Sequence, residues 1–365
     1  MFFILKEKYN LLQDKSNKAL SLLLLDETKL YGDDAMPLVN LSKLSFLRRT
    51  IFVVLGLLVV LTGGCTGKNS VSPPSGGLTA GSGSYEIVDS TGNVLKLLQK
   101  PQKIVSLSIS TDEILMALVA RERIAALTYL ADDSGISNIA EQAKAIPKKV
   151  RANAESIIAL QPDLVIIPDW QPAAFSQTLR DSGIPVYIYK SPTTVNEVKH
   201  LIILIARAVG EEETGSRLVA DMEKQLAQIR EKVRQIPADS QQVVIRYSLM
   251  GGSGGKNSTF EDICRHAGVI DGATIAGLGR NDVLSKEQIV SVNPDVILLP
   301  LWDHTGKTDL KKFGEDIQND PALQSVKAIR NKKLKAVPDS HVASTSQYIV
   351  QGVQDVARAA YPKLF

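Results

Sequence analysis

Two glutamates and two tryptophans hold matching places in the sequence. Glu155 and Glu287 are 132 residues apart, and so are Trp170 and Trp302, the only tryptophans of the chain. Indole rings on loops can stack on a flat or bulky ligand, although a tryptophan can equally fill the interior of its own half. Paired acids can meet a two-fold symmetric partner, although an acid in the first turn of a helix also complements the helix dipole. The spacing therefore indicates equivalent positions in two similar halves.

Basic, phenolic and imidazole side chains lie in segments that the apolar pattern predicts as loops after strands. Lys149 and Arg151 could pair with carboxylate or catecholate groups of a ligand, or form a solvated face. His304 and His341 could reach a haem iron or a bare metal ion, or simply be exposed. The predicted ligand-contacting residues are Tyr129, Lys149, Arg151, Trp170, Tyr247, Trp302, His304, His341 and Tyr348.

Motifs for catalysis or for a resident metal are missing from the sequence. It contains no HExxH and no paired CxxC, so no catalytic or structural zinc site is predicted. The segment 251–258 (GGSGGKNS) fails as a P-loop, because Met250 replaces the first glycine and Asn257 the serine or threonine. The 42 basic residues nearly balance the 39 acidic ones, which argues against a nucleic-acid-binding protein.

The matching residues belong to a segment that the chain contains twice. Residues 154–170 read AESIIALQPDLVIIPDW, and residues 286–302 read KEQIVSVNPDVILLPLW. Each copy predicts a helix that stops before Pro162 or Pro294, followed by an apolar strand of the kind buried in parallel sheets. The two copies therefore predict two α/β halves that are built alike.

Each copy is preceded by a further strand and a capped helix. In the first half the strand is 103–107, and Ser110 with Glu113 fits a capping box at the start of the helix. In the second half the strand is 243–247, and Ser258 with Glu261 has the same spacing. Ligand contacts are expected from the loops that follow such strands.

One long amphipathic helix is predicted between the halves. Apolar residues recur at helical spacing from Glu211 to Gln235, and Pro237 follows. The predicted fold is therefore α/β, with two Rossmann-like lobes joined by one long helix and a ligand cleft between the lobes. The predicted division is an N-terminal lobe at 85–210, the interlobe helix at 211–236 and a C-terminal lobe at 237–365.

The first part of the chain predicts export and lipid anchoring. The eleven-residue apolar run Ile51–Leu61 follows Arg48 and Arg49 and is too short to span a membrane. It ends in LTGGC, which resembles a lipobox with Cys65 as the lipidated residue; the alternative is a signal anchor with a chance cysteine. Residues 1–64 are thus a predicted leader, with Met36 as an alternative start, and 65–84 a flexible tether rich in Gly, Ser and Pro.

The order of these features resembles a known family. Lipobox, tether, KIVSLSISTDEILMAL, AESIIALQPDLVII, the long helix and SKEQIVSVNPDVILL follow one another as in the helical-backbone class of periplasmic binding proteins. Those proteins serve ABC importers of ferric siderophores, haem and vitamin B12, and the resemblance covers about residues 101–360. In that family a glutamate at the start of the duplicated helix of each lobe docks onto arginines of the permease dimer. The resemblance assigns this role to Glu155 and Glu287.

The resemblance implies a lipoprotein on the extracytoplasmic face of the cell membrane, without enzymatic activity or cofactor. It would capture an iron complex, either a ferric siderophore or haem, and deliver it to a permease dimer driven by a separate ATPase. Vitamin B12 is the alternative ligand. Two other readings are an extracytoplasmic sensor module without a transporter and a two-lobed enzyme of the nitrogenase-like or chelatase-like kind, against which the lipobox and the tether argue.

Overall fold

The computed structural model describes residues 84–249, 251–303 and 305–365. The predicted leader, Cys65, the tether up to residue 83 and His304 lie outside the described residues. The described part begins with an antiparallel hairpin of β1 (Tyr85–Val88) and β2 (Val94–Leu97). None of the described helices is long and apolar enough to cross a membrane.

A five-stranded parallel sheet forms the first lobe. Its order is β5-β4-β3-β6-β7, so the strand order reverses between β3 and β6, as in a doubly wound fold. The strands are β3 (Ile104–Ser106), β4 (Ile124–Thr128), β5 (Lys149–Val150), β6 (Leu164–Pro168) and β7 (Val186–Tyr189). The helices are α1 (Ile109–Leu118), α2 (Ala140–Ala143), α3 (Ala154–Ile158), α4 (Ala173–Asp181) and α5 (Val195–Val209).

The long helix α6 (Glu212–Val233) follows and leads into the second lobe. The second sheet has the order β10-β8-β11-β12 with parallel pairs, and β9 adds antiparallel to β8. Its strands are β8 (Val243–Ser248), β9 (Gly251–Ser253), β10 (Ile270–Asp271), β11 (Val296–Pro300) and β12 (Leu334–Val337). Its helices are α7 (Thr259–His266), α8 (Gly272–Ile275), α9 (Lys286–Val292), α10 (Leu310–Asn319), α11 (Lys327–Arg330), α12 (Asp339–Val342) and α13 (Ile349–Ala360). The predicted α/β fold with two lobes and one long helix is confirmed.

The duplicated segment folds alike in both lobes. The residue before each proline takes the left-handed conformation, with φ 51° at Gln161 and φ 52° at Asn293. A helix cannot continue through such a residue; α3 ends shortly before it at Ile158 and α9 directly before it at Val292, and the chain turns into β6 and β11. The predicted helix stops are therefore correct.

The aspartate after each proline holds the neighbouring strand. Asp163 accepts a hydrogen bond from the backbone N–H of Lys103 at 2.8 Å, just before β3. Asp295 accepts one from the backbone N–H of Val243 at 2.9 Å, at the start of β8. These side chains satisfy backbone donors where the two central strands begin, which fixes the register of each sheet.

One predicted helix cap is wrong. Ser108, not Ser110, is the N-cap of α1, and its hydroxyl accepts from the N–H of Thr111 at 3.1 Å. Ser108 has extended backbone angles, which a capping residue needs, whereas Ser110 already lies in the first helical turn. The cap predicted at Ser258 is confirmed, because its hydroxyl accepts from the N–H of Glu261.

A single hydrophobic core runs through both lobes on the side of the long helix. It includes Leu115 of α1, Ile202 of α5, Met222 of α6, Ile263 of α7 and Val353 of α13, all nearly inaccessible to solvent. The opposite face of each sheet has a separate core under its own helices. The lobes are thus joined by packing as well as by the chain.

The packing of α6 on α5 can be tested at Gly215. A Cβ added there would lie 2.3 Å from the Cβ of Ala206 in α5, so Gly215→Ala must separate the two helices. We expect a loss of about 1–3 kcal/mol in the free energy of unfolding from overpacking, although alanine favours a helix. Gly314→Ala in α10 is the matched control, since its Cβ would meet only the side chain of Leu299, at 3.1 Å. Urea unfolding that ranks the two variants equal would contradict this packing.

Candidate ligand-binding site

A cavity of about 640 Å³ opens at the carboxyl ends of the strands in the first lobe. It lies where the strand order reverses, the usual place for a ligand in an open α/β sheet. Most of its wall comes from loops after β3, β4, β5, β6 and β7, and Thr345 comes from the second lobe. The lining residues are Leu107, Ser108, Ile109, Ser110, Thr128, Tyr129, Leu130, Val150, Arg151, Ala152, Trp170, Gln171, Tyr189, Ser191, Pro192 and Thr345.

The floor of the cavity carries the hydroxyls of Ser108 and Tyr189, from which a chain of hydroxyl groups runs into the buried interior. The hydroxyls of Ser108 and Tyr189 lie 2.7 Å apart, and those of Ser108 and Thr111 2.9 Å apart. Thr111 continues the chain to the hydroxyl of Ser106 at 2.6 Å. Burial raises the pKa of Tyr189, so its phenol stays protonated and can donate or accept. Such a surface can hydrogen-bond oxygen-rich ligand groups of either polarity.

The rim of the cavity is aromatic and carries one cation. Among the described lining residues, Arg151 is the only charged one. Its guanidinium carbon lies 3.4 Å from the centre of the Tyr129 ring, in cation–π contact. Tyr129 is 45% exposed and Trp170 is 65% exposed, which is unusual for large rings. The rim can therefore stack on a ligand and attract an anionic group.

Two adjacent acids of α1, which were not predicted as site residues, lie buried behind this wall. Asp112 accepts hydrogen bonds from the backbone N–H of Thr128, at 3.1 Å to Oδ2, and from its hydroxyl. Desolvation raises the pKa of Asp112 to about 7, against the opposing effect of these bonds. Glu113, predicted as a capping residue for Ser110, is also buried, and desolvation raises its pKa.

Glu113 links the two lobes. Its Oε1 accepts from the backbone N–H of Asn138 at 2.8 Å, and its Oε2 accepts from the hydroxyl of Ser346 in the second lobe. Beside it, the hydroxyls of Ser110 and Thr345 are hydrogen-bonded to each other. These contacts fix Thr345 on the cavity wall. The sequence signal for Glu113 was only its position in a helix start, which also suits an exposed acid.

Three of the predicted ligand-contacting residues, Tyr129, Arg151 and Trp170, line the cavity. Lys149 is next to the lining residue Val150 but is not itself a lining residue. Its Nζ donates to the carbonyl of Ile146 at 2.6 Å and pairs with Asp132 at 3.1 Å. Its role in this conformation is to hold the loop before β5.

The predicted residues of the second lobe lie outside the cavity wall. Tyr247 packs on Phe313 with ring centres 6.0 Å apart. The Nδ1 of His341 lies 2.6 Å from Oδ2 of Asp355 in α13. Tyr348 precedes α13 and packs against the shared core. His304 lies outside the described residues.

Trp302 crosses between the lobes instead of facing the cavity. Its indole N–H donates to Asp133 of the first lobe at 2.9 Å. The ring covers Gly135 so closely that a Cβ there would lie 1.9 Å from Trp302 Cδ1. The backbone N–H groups of Leu301 and Trp302 both donate to Asp339, which also pairs with Arg246 at 3.0 Å. We call Trp302, Asp133 and Gly135 the indole clasp.

Glu155 and Glu287 are the second residues of α3 and α9, and both are exposed. The caps that precede them, Asn153 and Ser285, each accept a hydrogen bond from a backbone N–H of the first turn. The two glutamates thus have the same place on equivalent helices of the two lobes. Equivalent exposed acids provide a pair of contacts for a basic partner surface.

This geometry can be compared with known proteins. The model of a family described as periplasmic binding protein matches residues 104–340. An uncharacterized ABC transporter substrate-binding lipoprotein of Bacillus subtilis is 26% identical over 286 residues, which is 76% of this chain and 86% of that protein. A cobalamin-binding protein of Halobacterium salinarum is 25% identical over 226 residues, 58% of this chain and 57% of that protein.

Solved structures show the same architecture. The periplasmic haem-binding protein RhuT of Roseiflexus, in its apo form, superposes with a TM-score of 0.61 at 25% identity, over 72% of this chain and 99% of that one. Family, relatives and architecture agree with the two-lobed geometry described above. The chain belongs to the periplasmic binding protein family.

Proposed function

We propose that this protein is the substrate-binding lipoprotein of an ABC importer and that its cargo is an iron complex, either a ferric siderophore or haem. The observation that carries the proposal is the cavity with its aromatic rim, its single arginine and its hydroxyl floor. A cavity of about 640 Å³ suits an organic ligand rather than a small inorganic ion. Haem carries carboxylates and many siderophores carry catecholates, and both have a flat or bulky body.

The position of the charges supports an anionic cargo. Arg151 lies at the rim, and no carboxylate occurs among the described lining residues. Asp112 and Glu113 lie behind the wall, where their hydrogen bonds point to protein groups. A ligand with one or two acidic groups would therefore meet the cation of Arg151 at the rim and no carboxylate in the described wall itself.

Vitamin B12 is the second candidate cargo. The cobalamin-binding relative favours it, and so does the exposed ring of Trp170, which could cover a large corrin face. Cobalamin lacks the carboxylates of haem and carries a single phosphodiester anion, which could also pair with Arg151. Direct comparison of the affinities for haemin and cobalamin therefore separates the two candidates.

The ligand site is tested with haemin, cobalamin and a panel of ferric siderophores, followed by intrinsic fluorescence. Binding should quench the tryptophan fluorescence, and Trp170→Phe should weaken the binding, because Trp170 lines the cavity whereas Trp302 is held in the indole clasp. Arg151→Ala should weaken an anionic ligand by roughly ten- to a hundredfold, the value of a charge-assisted hydrogen bond. Arg121→Ala, an exposed arginine outside the cavity wall, is the control. Unchanged affinity in Arg151→Ala for every ligand of the panel would place the site elsewhere.

The permease contact is tested with the double variant Glu155→Ala/Glu287→Ala. Both side chains are exposed, so we expect normal folding and ligand affinity, while permease binding and uptake fall roughly tenfold or more. The matched control is Glu122→Ala/Glu315→Ala, which also removes one exposed acid from each lobe. Normal uptake in the first variant would leave only helix stabilisation as the role of these acids; lost ligand affinity would assign them to the cavity instead.

Membrane attachment through Cys65 is tested by fractionation. Cys65→Ser should release the protein from membranes or leave its precursor uncleaved, because the thioether-linked lipid can form only on that cysteine. Cys264→Ser is the control, since Cys264 is buried in the second lobe. A Cys65→Ser variant that fractionates and migrates like the parent protein would show that the anchor is not at this residue.

A further inference from the structure

Asp112 is a buried carboxylate in direct contact with the cavity wall. It has no solvent-accessible surface, and both of its oxygens lie within 3.2 Å of the backbone nitrogen of Thr128. In the described part of the chain no lysine, arginine or histidine forms an ion pair with it. Its charge is therefore balanced only by hydrogen bonds, from the hydroxyl of Ser106 and from Thr128, which is one of the residues that line the cavity.

The protonation state of Asp112 decides which way the Thr128 hydroxyl points. An ionised carboxylate can only accept, so the hydroxyl must donate to Asp112 and shows only lone pairs to the cavity. A protonated carboxyl can donate to the Thr128 oxygen instead. The hydroxyl hydrogen is then free to point into the cavity as a donor. One proton on Asp112 thus converts a wall group from acceptor to donor.

We propose that Asp112 is a positioning residue of the ligand site, which sets the donor or acceptor character of Thr128 and thereby couples binding of an anionic ligand to uptake of a proton. The proposal rests on the proposed function for the existence of the ligand. Anionic groups need donors, and Arg151 supplies them only at the rim. A donor at Thr128 would add one at the wall between the loops of β3 and β5.

The surroundings of Asp112 bring its pKa close to neutral pH. Desolvation raises its pKa to about 7, and Glu113 on the same helix acts in the same direction. Other titratable or charged groups around the cavity are Tyr189 on β7, Asp169 after β6, and Tyr129 with Arg151 at the rim. Burial keeps Tyr189 protonated well above neutral pH, so it does not compete for this proton.

The direction of the pKa shift of Asp112 determines how stability and ligand affinity change with pH. The pKa of Asp112 is higher in the folded protein than its ordinary value, so folding favours the protonated form. Its contribution to the free energy of unfolding is complete in acid and is lost as the pH rises through about 7. Affinity for an anionic ligand should follow the same course, because the donor form exists only below that range.

The first experiment needs no ligand. The methyl resonance of Thr128 is followed by NMR from about pH 5 to about pH 9. We expect an inflection near neutral pH in the parent protein and none in Asp112→Asn, in which the side-chain amide mimics the protonated acid. Asp271→Asn is the matched control, because Asp271 is also buried with a raised pKa but lies in the second lobe. A parent protein without this inflection would overturn the proposal, whatever the ligand is.

The second experiment uses haemin as the probe. Its affinity for the parent protein should fall about three- to tenfold from about pH 6 to about pH 8, as linkage to one proton allows. Thr128→Val lacks the wall hydroxyl and should remove this pH dependence. This variant keeps the test available if Asp112→Asn fails to fold. Asp271→Asn should keep the pH dependence of the parent protein. Any pH dependence that belongs to haemin itself is common to all the variants and cancels when they are compared.

The outcomes separate this proposal from the proposed function. An NMR inflection together with a pH-independent haemin affinity in the parent protein would disprove the link between Thr128 and the ligand. If haemin does not bind, haem is excluded as cargo, and the NMR titration alone decides whether Asp112 controls the hydroxyl. A pH dependence that survives in Thr128→Val would assign the proton to another group and overturn the proposal.

Discussion

The hydrophobic core shared by the lobes is the constraint on which the rest of the structure depends. Helix α5 of the first lobe and the connecting helix α6 pack against α1 of the first lobe and against α7 and α13 of the second. Burial of this common surface fixes how the two sheets face each other. The cavity, the Glu113 contacts and the indole clasp all involve groups from both lobes, so their geometry depends on this shared core.

The two lobes contribute to the cavity unequally although they are built alike. The first lobe provides the hydroxyl floor, the arginine and the exposed rings, whereas the second provides Thr345. Residues at this side of the second lobe are engaged in protein contacts: Trp302 in the indole clasp, and Arg246 of β8 with Asp339 in an ion pair. Polar contacts across the lobes therefore position the cavity, and the first lobe supplies its chemistry.

The sequence predicted the architecture because its signals are local. Apolar strands, helix stops before proline and the repeat at 132 residues need no knowledge of distant contacts. The role of Trp302 could not be predicted, because its partner Asp133 is 169 residues away in the chain. The burial of Asp112 and Glu113 could not be predicted for a related reason. Acids at the start of a helix are usually exposed to solvent, and these two are buried only because the strands and the second lobe cover them.

The indole clasp has a consequence for how the protein can change. Because Trp302 contacts Asp133 and Gly135 of the first lobe, a substitution of this tryptophan in the second copy of the segment would disturb the contact between the lobes. Its counterpart Trp170 has no such commitment and stands in solvent. The two tryptophans thus have different roles: Trp302 holds the lobes together, whereas Trp170 lies at the mouth of the cavity. A change of ligand would then require replacement of a few loops in one lobe, while the framework that presents them stays the same.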